Sequence, residues 1–404
     1  MKNELETKNF IPQKYLKKRI KKNYIKKLKN ILKKNIVNIN DNKKTLNVLH
    51  DKFKFNFKKE ELEKFDKFKI IAIIGMGGSI LGAESIYYFL QEKIKKKLYF
   101  FNDLYEKKIS IFKKKINLNK VLFIVISKSG TTVETLTNFL SLNILKKKSK
   151  NILVITEKNN NFLYSITRRF NLNYIEHKKN VGGRYSVLSE VGSVPAYLMG
   201  CNIKKFRLNI LSFLKGNKKL FLEESVLKLV SLFKSKKIKN IIFLNYAPEL
   251  EGFLFWCQQL LAESLGKKGN GFLPLISNVP KDHHSLLQLY LDGPKDKLFC
   301  IFSLDKNSKE KISSNDNLIK SHFLNKKELY EVKKAQRKAL TKTLKEKKIP
   351  FREFKIKTNN ESVIGELFAY FILETIIVGE LANINPYDQP AVERVKILTK
   401  KLLK

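Results

Sequence analysis

The chain has 404 residues and 43% hydrophobic content, enough for two or three domains around a large core, which excludes intrinsic disorder as its organising state. Its net charge of +44 comes from 81 basic against 37 acidic residues, yet only 8 of the basic residues are Arg. Arg suits bidentate reading of phosphate and guanine, so a Lys-rich, Arg-poor chain argues against a dedicated nucleic-acid binder, although its basic field attracts small anions.

Cys201, Cys257 and Cys300 are far apart and odd in number, giving neither a metal-ligand signature nor a disulfide framework. The first ten residues hold no apolar signal core, and no run of 18 apolar residues occurs. The expectation is a soluble, cytoplasmic protein of a reducing compartment, with no membrane partner.

Residues 1–60 carry Lys between apolar residues, as in Leu28 to Ile36, without strong turn signals. This predicts a helical N-terminal segment with a solvated basic face. Ile70 to Ile74 reads as a buried strand of a parallel sheet. It ends in Gly75-Met76-Gly77-Gly78-Ser79, with a helix from Ile80 to about Gln91. Glycines let the backbone approach a ligand, and Ser79 can cap the helix while facing it. The third glycine of G-x-G-x-x-G is missing, which argues against a dinucleotide site. Leu98 to Phe101, Val121 to Ile126 and Ile152 to Ile155 continue the strands with helical patterns between them, the alternation of a doubly wound α/β domain.

Val121 to Ile126 runs directly into Ser127-Lys128-Ser129-Gly130-Thr131-Thr132 before a helical pattern starts near Val133. One hydroxyl at a helix start is ordinarily a cap. Four, with an ammonium and the unpaired N–H groups of the helix, make a place for a dianionic phosphate. The spacing is not that of a nucleotide P-loop, so a sugar phosphate is expected rather than ATP.

Val181-Gly182-Gly183-Arg184 breaks the pattern, either as a surface turn with a solvated Arg or as a turn that aims a guanidinium at developing negative charge. A Lys-rich helical stretch covers 205–237, and a second α/β unit opens at Ile241 to Leu244, with later strands at Leu298 to Leu304 and Phe351 to Ile356. Pro248 to Leu265 has helical length and period. Glu263 falls in its last turn, where a carboxylate is electrostatically unfavourable. His283 and His284 adjoin each other without a Cys or carboxylate cluster, which argues against a metal pair and leaves one of them as an acid/base candidate. Glu361 to Leu381 reads as a helix, followed by Asn385-Pro386-Tyr387-Asp388-Gln389-Pro390 and a terminal helix bearing Glu393, Arg394 and Lys396.

Six stretches carry a resemblance: G-M-G-G-S-I-L-G, S-K-S-G-T-T-V-E-T, G-G-R-Y-S-V-L-S-E-V-G, Q-Q-L-L-A-E-S-L-G-K, H-H-S-L-L-Q-L-Y-L-D-G and N-P-Y-D-Q-P-A-V-E-R-V-K. In this order, from about residue 70 to 396, they resemble the phosphoglucose isomerase family, whose members are built from two sugar-isomerase (SIS) domains. The resemblance implies an α/β fold of two SIS domains, each a mainly parallel sheet flanked by helices. Residues 1–60 would be a helical segment, 61–204 and 205–358 the two domains, and 359–404 the C-terminal helices that complete the site.

It also implies reversible isomerisation of glucose 6-phosphate and fructose 6-phosphate through an enediolate, in glycolysis and gluconeogenesis. The phosphate would sit on Ser127, Lys128, Ser129 and Thr132, with Gly78 and Ser79 lining the pocket. Arg184 would face the enediolate, Glu263 would be the base, His284 would open the ring, and Gln389 and Lys396 would close the site. Members are homodimers in which the histidine reaches the partner's site, so His284 is expected to act in trans. Ser129-Gly130 stands where many relatives have Thr-Phe, Ala391 where a Gly is usual in bacterial relatives, and the N-terminal segment is short. These departures touch sugar specificity and oligomer contacts more than chemistry.

The chemistry needs these residue types. One carboxylate that takes and returns a proton moves it between adjacent carbons, with no cofactor, metal or nucleotide. A guanidinium stabilises the enediolate without donating a proton, and an imidazole changes protonation near neutral pH. Two alternatives stay open: a sugar-phosphate-binding regulator with SIS domains, and an isomerase that also accepts mannose 6-phosphate. The joint presence of Arg184, Glu263, His284 and Lys396 argues against the regulator.

Overall fold

The computed structural model describes residues 4–16, 18–305 and 310–403. Its described strands are β1 (Leu5–Phe10), β2 (Ile70–Ile74), β3 (Lys97–Phe101), β4 (Val121–Ile126), β5 (Ile152–Thr156), β6 (Asn173–Glu176), β7 (Asn240–Asn245), β8 (Leu273–Asn278), β9 (Lys297–Leu304) and β10 (Phe351–Ile356). They form two sheets flanked by helices. The first has the order β3-β2-β4-β5-β6 and is parallel throughout. The second has the order β1-β10-β9-β7-β8 and is parallel except for β1, which runs antiparallel to β10 from Leu5↔Ile356 to Phe10↔Phe351. Central strands are apolar on both sides because helices cover both faces: every residue of β4 and β9 is buried.

Three strands depart from the sequence reading, and all three lie at sheet edges. Residues 1–60 are not helical throughout, because Leu5–Phe10 is a strand, and the long helix comes only at Lys18–Asn40. Residues 1–3 and 17 of this segment lie outside the described residues. An edge strand pairs on one side only, so L-E-T-K-N-F, N-Y-I-E and L-P-L-I-S-N need no continuous apolar run. The Pro274 of β8 is tolerated there for the same reason.

The helix Glu361–Leu381 is the axle of the molecule. It is long and apolar enough to cross a membrane, but 94% of its apolar window is buried, against helices that include Lys18–Asn40, Leu81–Leu90, Gly216–Ser235 and Glu251–Leu265. Its two fully buried acids, Glu366 and Glu374, are answered by neighbouring side chains. Glu374 accepts from Arg352 of β10 at 2.6 and 3.0 Å and from the Tyr370 hydroxyl, and Glu366 accepts from the Ser212 hydroxyl at 2.6 Å and from Lys218. The first sheet's strand order reverses direction at β2, with β3 on one side and β4 on the other. In open parallel sheets the crevice beyond the strand ends at such a point is where ligands bind.

Candidate active site

Ile74 of β2 pairs with Val125 of β4, so the turn 75–79 and the loop 127–132 leave the sheet side by side at that crevice. In the loop, the buried Ser127 hydroxyl lies 3.2 Å from the Thr132 hydroxyl and accepts the N–H of Gly130 at 3.2 Å. Gly130 has φ +62°, and a Cβ there would lie 1.8 Å from the Asn161 amide oxygen, so both backbone and space demand glycine. The exposed Ser129 hydroxyl accepts from the N–H and the hydroxyl of Thr131, both at 3.3 Å. Thr132 stands at the N-cap of the helix Val133–Ser141, yet its side chain makes no capping bond. The Lys128 ammonium is engaged elsewhere: it donates to the carbonyl of Lys179 at 2.8 Å and lies 3.5 Å from Glu157.

The turn Gly77–Ser79 meets the turn that precedes Arg184. A Cβ on Gly78 would sit 2.2 Å from the carbonyl carbon of Gly183, so these two glycine turns touch backbone to backbone. The Ser186 hydroxyl ties them by donating to the carbonyls of Gly183 at 2.7 Å and Gly78 at 3.3 Å. On the other side of the turn, Gly77 packs against Gln259, whose amide nitrogen a Cβ would meet at 2.6 Å. Gln259 and Glu263 are four residues apart on Glu251–Leu265 and so share one face. The Gln259 amide donates to Glu263 Oε1 at 2.9 Å.

Arg184 is not a solvated surface residue. It is 3% exposed and all its donors are engaged: Nε with Ser264 Oγ at 2.8 Å, Nη1 with Glu263 Oε2 at 3.2 Å and Gln389 Oε1 at 3.1 Å, and Nη2 with the carbonyls of Pro386 at 2.6 Å and Asp388 at 3.1 Å. The guanidinium beside Glu263 offsets the unfavourable position of that carboxylate at a helix end. Glu263 keeps 29% of its side chain open to solvent, so a ligand can reach it. A fixed cation and an accessible carboxylate therefore stand beside the hydroxyl-lined crevice, able to bind an anion and move a proton.

The adjacent histidines divide. His283 lies with its Nε2 3.1 Å from the Tyr246 hydroxyl, and burial lowers its affinity for a proton, with the charge of His284 acting in the same direction. His284 is exposed and its ring makes no hydrogen bond among the described residues. Lys396 is exposed on the terminal helix Glu393–Leu402, which buries no residue, and pairs with Glu393 at 3.4 Å rather than with Arg184, Glu263 or Gln389. No group of three His, Cys, Asp or Glu side chains among the described residues could hold a metal.

With this geometry in view, the decisive comparison is a family model, phosphoglucose isomerase, that matches residues 28–404. The chain belongs to the phosphoglucose isomerase family. Relatives include a glucose-6-phosphate isomerase of Methanocaldococcus jannaschii, 34% identical over 363 residues that cover 85% of this chain and 88% of the relative. One of Campylobacter jejuni is 30% identical over 384 residues, covering 89% and 90%. Among solved structures, a Thermus thermophilus protein described as hypothetical superposes with TM-score 0.82 at 23% identity, over 98% of this chain and 100% of that one. A glucose-6-phosphate isomerase from Chlamydia trachomatis gives TM-score 0.68 at 19% identity, over 85% and 73%. These structures share the α/β fold.

Family membership and geometry meet in the Arg184–Glu263–Gln389 cluster, which draws on three separate parts of the chain. Sequence reasoning assigned no role to Gln259, Ser264 or Tyr185. The spacing of Gln259 from Glu263 was a signal that could have found the first. Nothing in the sequence pointed to the hydroxyls of the other two.

Proposed function

We propose that the chain interconverts glucose 6-phosphate and fructose 6-phosphate through an enediolate, with Glu263 as the group that moves the proton. As an aldose–ketose isomerase of this family it serves glycolysis and gluconeogenesis. The observation that carries the mechanism is the 3.2 Å pair of buried Arg184 and part-open Glu263 beside the hydroxyl loop. Glu263 takes the proton from C-2 of the open-chain aldose and returns it to C-1 while the hydroxyl proton passes from O-2 to O-1, and the enediolate between these steps bears the charge that Arg184 stabilises. The Gln259 amide on the second carboxylate oxygen fixes the direction from which Glu263 attacks.

The substrate phosphate rests on Ser127, Ser129 and Thr132 and the uncapped helix start, with Gly78 and Ser79 at its side and Lys128 as a nearby positive charge. Gln389 orients Arg184. Lys396 adds a cation when the terminal helix packs over the crevice. His284 opens the ring, acting across a homodimer; its exposed, unbonded ring supports a role toward a second copy. We assign residues 61–204 and 205–358 to the two SIS domains, since each span contains one sheet, with β1 added to the second from residues 1–60. The burial of the span-length apolar helix Glu361–Leu381 supports a cytoplasmic enzyme.

The test is to incubate the purified chain with fructose 6-phosphate in D2O and follow glucose 6-phosphate by NMR. Deuterium at C-2 of the product is expected. Product formed with no solvent deuterium in any turnover would favour hydride transfer over the enediolate.

A further inference from the structure

We propose that Tyr185 is a positioning residue for this reaction: its buried hydroxyl closes a ring of hydrogen bonds that latches the segment 385–390 onto the guanidinium of Arg184. The proposal rests on the Arg184–Glu263 reading above and adds to it the device that sets the guanidinium.

The direction of every bond in the ring follows from what each group can donate. Arg184 Nε has only a proton to give, so Ser264 Oγ accepts it at 2.8 Å. The Pro386 carbonyl has only lone pairs, so the Tyr185 hydroxyl donates to it at 2.7 Å. Tyr185 has then used its one proton, and across the remaining 2.8 Å contact Ser264 must donate to Tyr185. Arg184 Nη2 completes the ring at 2.6 Å on the same Pro386 carbonyl. Tyr185 and Ser264 are fully buried, so no water replaces a lost link. Burial also pushes the Tyr185 phenol above its ordinary range, which keeps it a donor.

The ring joins three parts of the chain. Ser264 follows the base Glu263 at the end of its helix, Tyr185 follows Arg184, and Pro386 lies three residues before Gln389. The Tyr185 ring also lies under the guanidinium at 5.0 Å and against Tyr387 at 5.8 Å. Outside the ring, Lys267 pairs with Asp388 at 2.8 Å and holds the same segment from the other side. Replacing Tyr185 by Phe keeps the aromatic packing but removes two of the four links. The guanidinium keeps its own bonds, but two of its acceptors, Ser264 Oγ and the Pro386 carbonyl, lose the hydroxyl that ties them together, so its plane is held less firmly, while the phosphate loop, built from other elements, is untouched.

The experiment compares Tyr185→Phe, Ser264→Ala and Glu263→Gln with the unaltered chain. It reads kcat and KM for fructose 6-phosphate and the affinities for two probes. One is a five-carbon phosphorylated aldonic acid, whose carboxylate imitates the enediolate. The other is a hexitol 6-phosphate, which carries no charge at its first two carbons. In both hydroxyl variants kcat should fall about 10-fold, with KM within about two-fold. Aldonic acid affinity should fall in step with kcat, and hexitol phosphate affinity should hold. If Tyr185→Phe does not fold, Ser264→Ala carries the same test. Unchanged kcat and aldonic acid affinity in the hydroxyl variants, with Glu263→Gln inactive, would overturn the latch alone. Equal loss of both probes would also overturn it, since that reports general damage. Wild-type turnover in Glu263→Gln would overturn the underlying reading, whatever the hydroxyl variants do.

Discussion

Ser127 and Thr132 belong to the first sheet's loop, whereas Glu263 belongs to a helix of the second α/β unit, so their losses should separate in kinetics. Changing Ser127 and Thr132 together to Ala removes hydroxyls that, on the proposed reading, bind phosphate equally in ground and transition states. KM for the phosphosugar should rise about 10- to 100-fold, with kcat within a few-fold, as steady-state assays and a phosphate titration would record. The role proposed for His284 belongs to a different step. His284→Ala should lose more activity on cyclic glucose 6-phosphate than in C-2 proton exchange from the open-chain form; equal losses would remove the ring-opening role. His283→Ala should instead lower stability slightly, because its ring nitrogen meets Tyr246 at 3.1 Å, and leave both assays nearly unchanged. At this scale the chemical types were legible in the sequence: a hydroxyl cluster before a helix, and a carboxylate at an unfavourable helix end. Of the partners of Arg184, Glu263 and Gln389 were reached only through the motif resemblance, and Ser264 and the carbonyls of Pro386 and Asp388 not at all, since they lie about 80 and 200 positions away and no local pattern encodes such a meeting.

Elements show the same division. Central strands such as β4 announce themselves because both faces must be apolar, while β1, β6 and β8 hide because an edge strand has fewer neighbours to satisfy. At the end of β6 stands His177, 1% exposed, whose Nδ1 donates to the Lys178 carbonyl at 3.0 Å. Burial, with the nearby Lys128 charge adding to it, lowers its folded pKa to about 4. The unfolded imidazole takes up its proton near pH 6.5, so folding stability is whole above that pH and falls as pH drops towards 4. The loss should reach on the order of 3 kcal/mol. Melting temperature measured from pH 7 to 4 should show this slope, and His177→Gln should flatten it. Between β10 and the axial helix, Arg352 and Glu374 are 2% and 1% exposed. Arg352→Met leaves a buried carboxylate unpaired and should cost about 3–5 kcal/mol, with much of it restored by adding Glu374→Leu. Denaturant midpoints of the two variants would record this.

Across the whole molecule, the two sheets contribute different halves of the proposed site, with the hydroxyl loop 127–132 from the first and Glu263 from the unit of the second. The buried helix Glu361–Leu381 holds these halves together, and the chain's end supplies Gln389. The order of six motifs along the sequence made the family and the α/β fold legible, whereas the placement of the terminal helix was not. Its residues are exposed along their length, so Lys396 has no packing contact that a sequence pattern could have encoded. The central claim is that Glu263 moves the proton, and the direct measurement is turnover of Glu263→Gln beside its affinity for the phosphorylated aldonic acid. Gln keeps the size and polarity of the side chain but cannot take the proton. Turnover should fall by about 10²- to 10⁴-fold while the substrate phosphate still binds at residues 127–132. Near wild-type turnover in the Gln variant would contradict the account and pass the proton transfer to another residue.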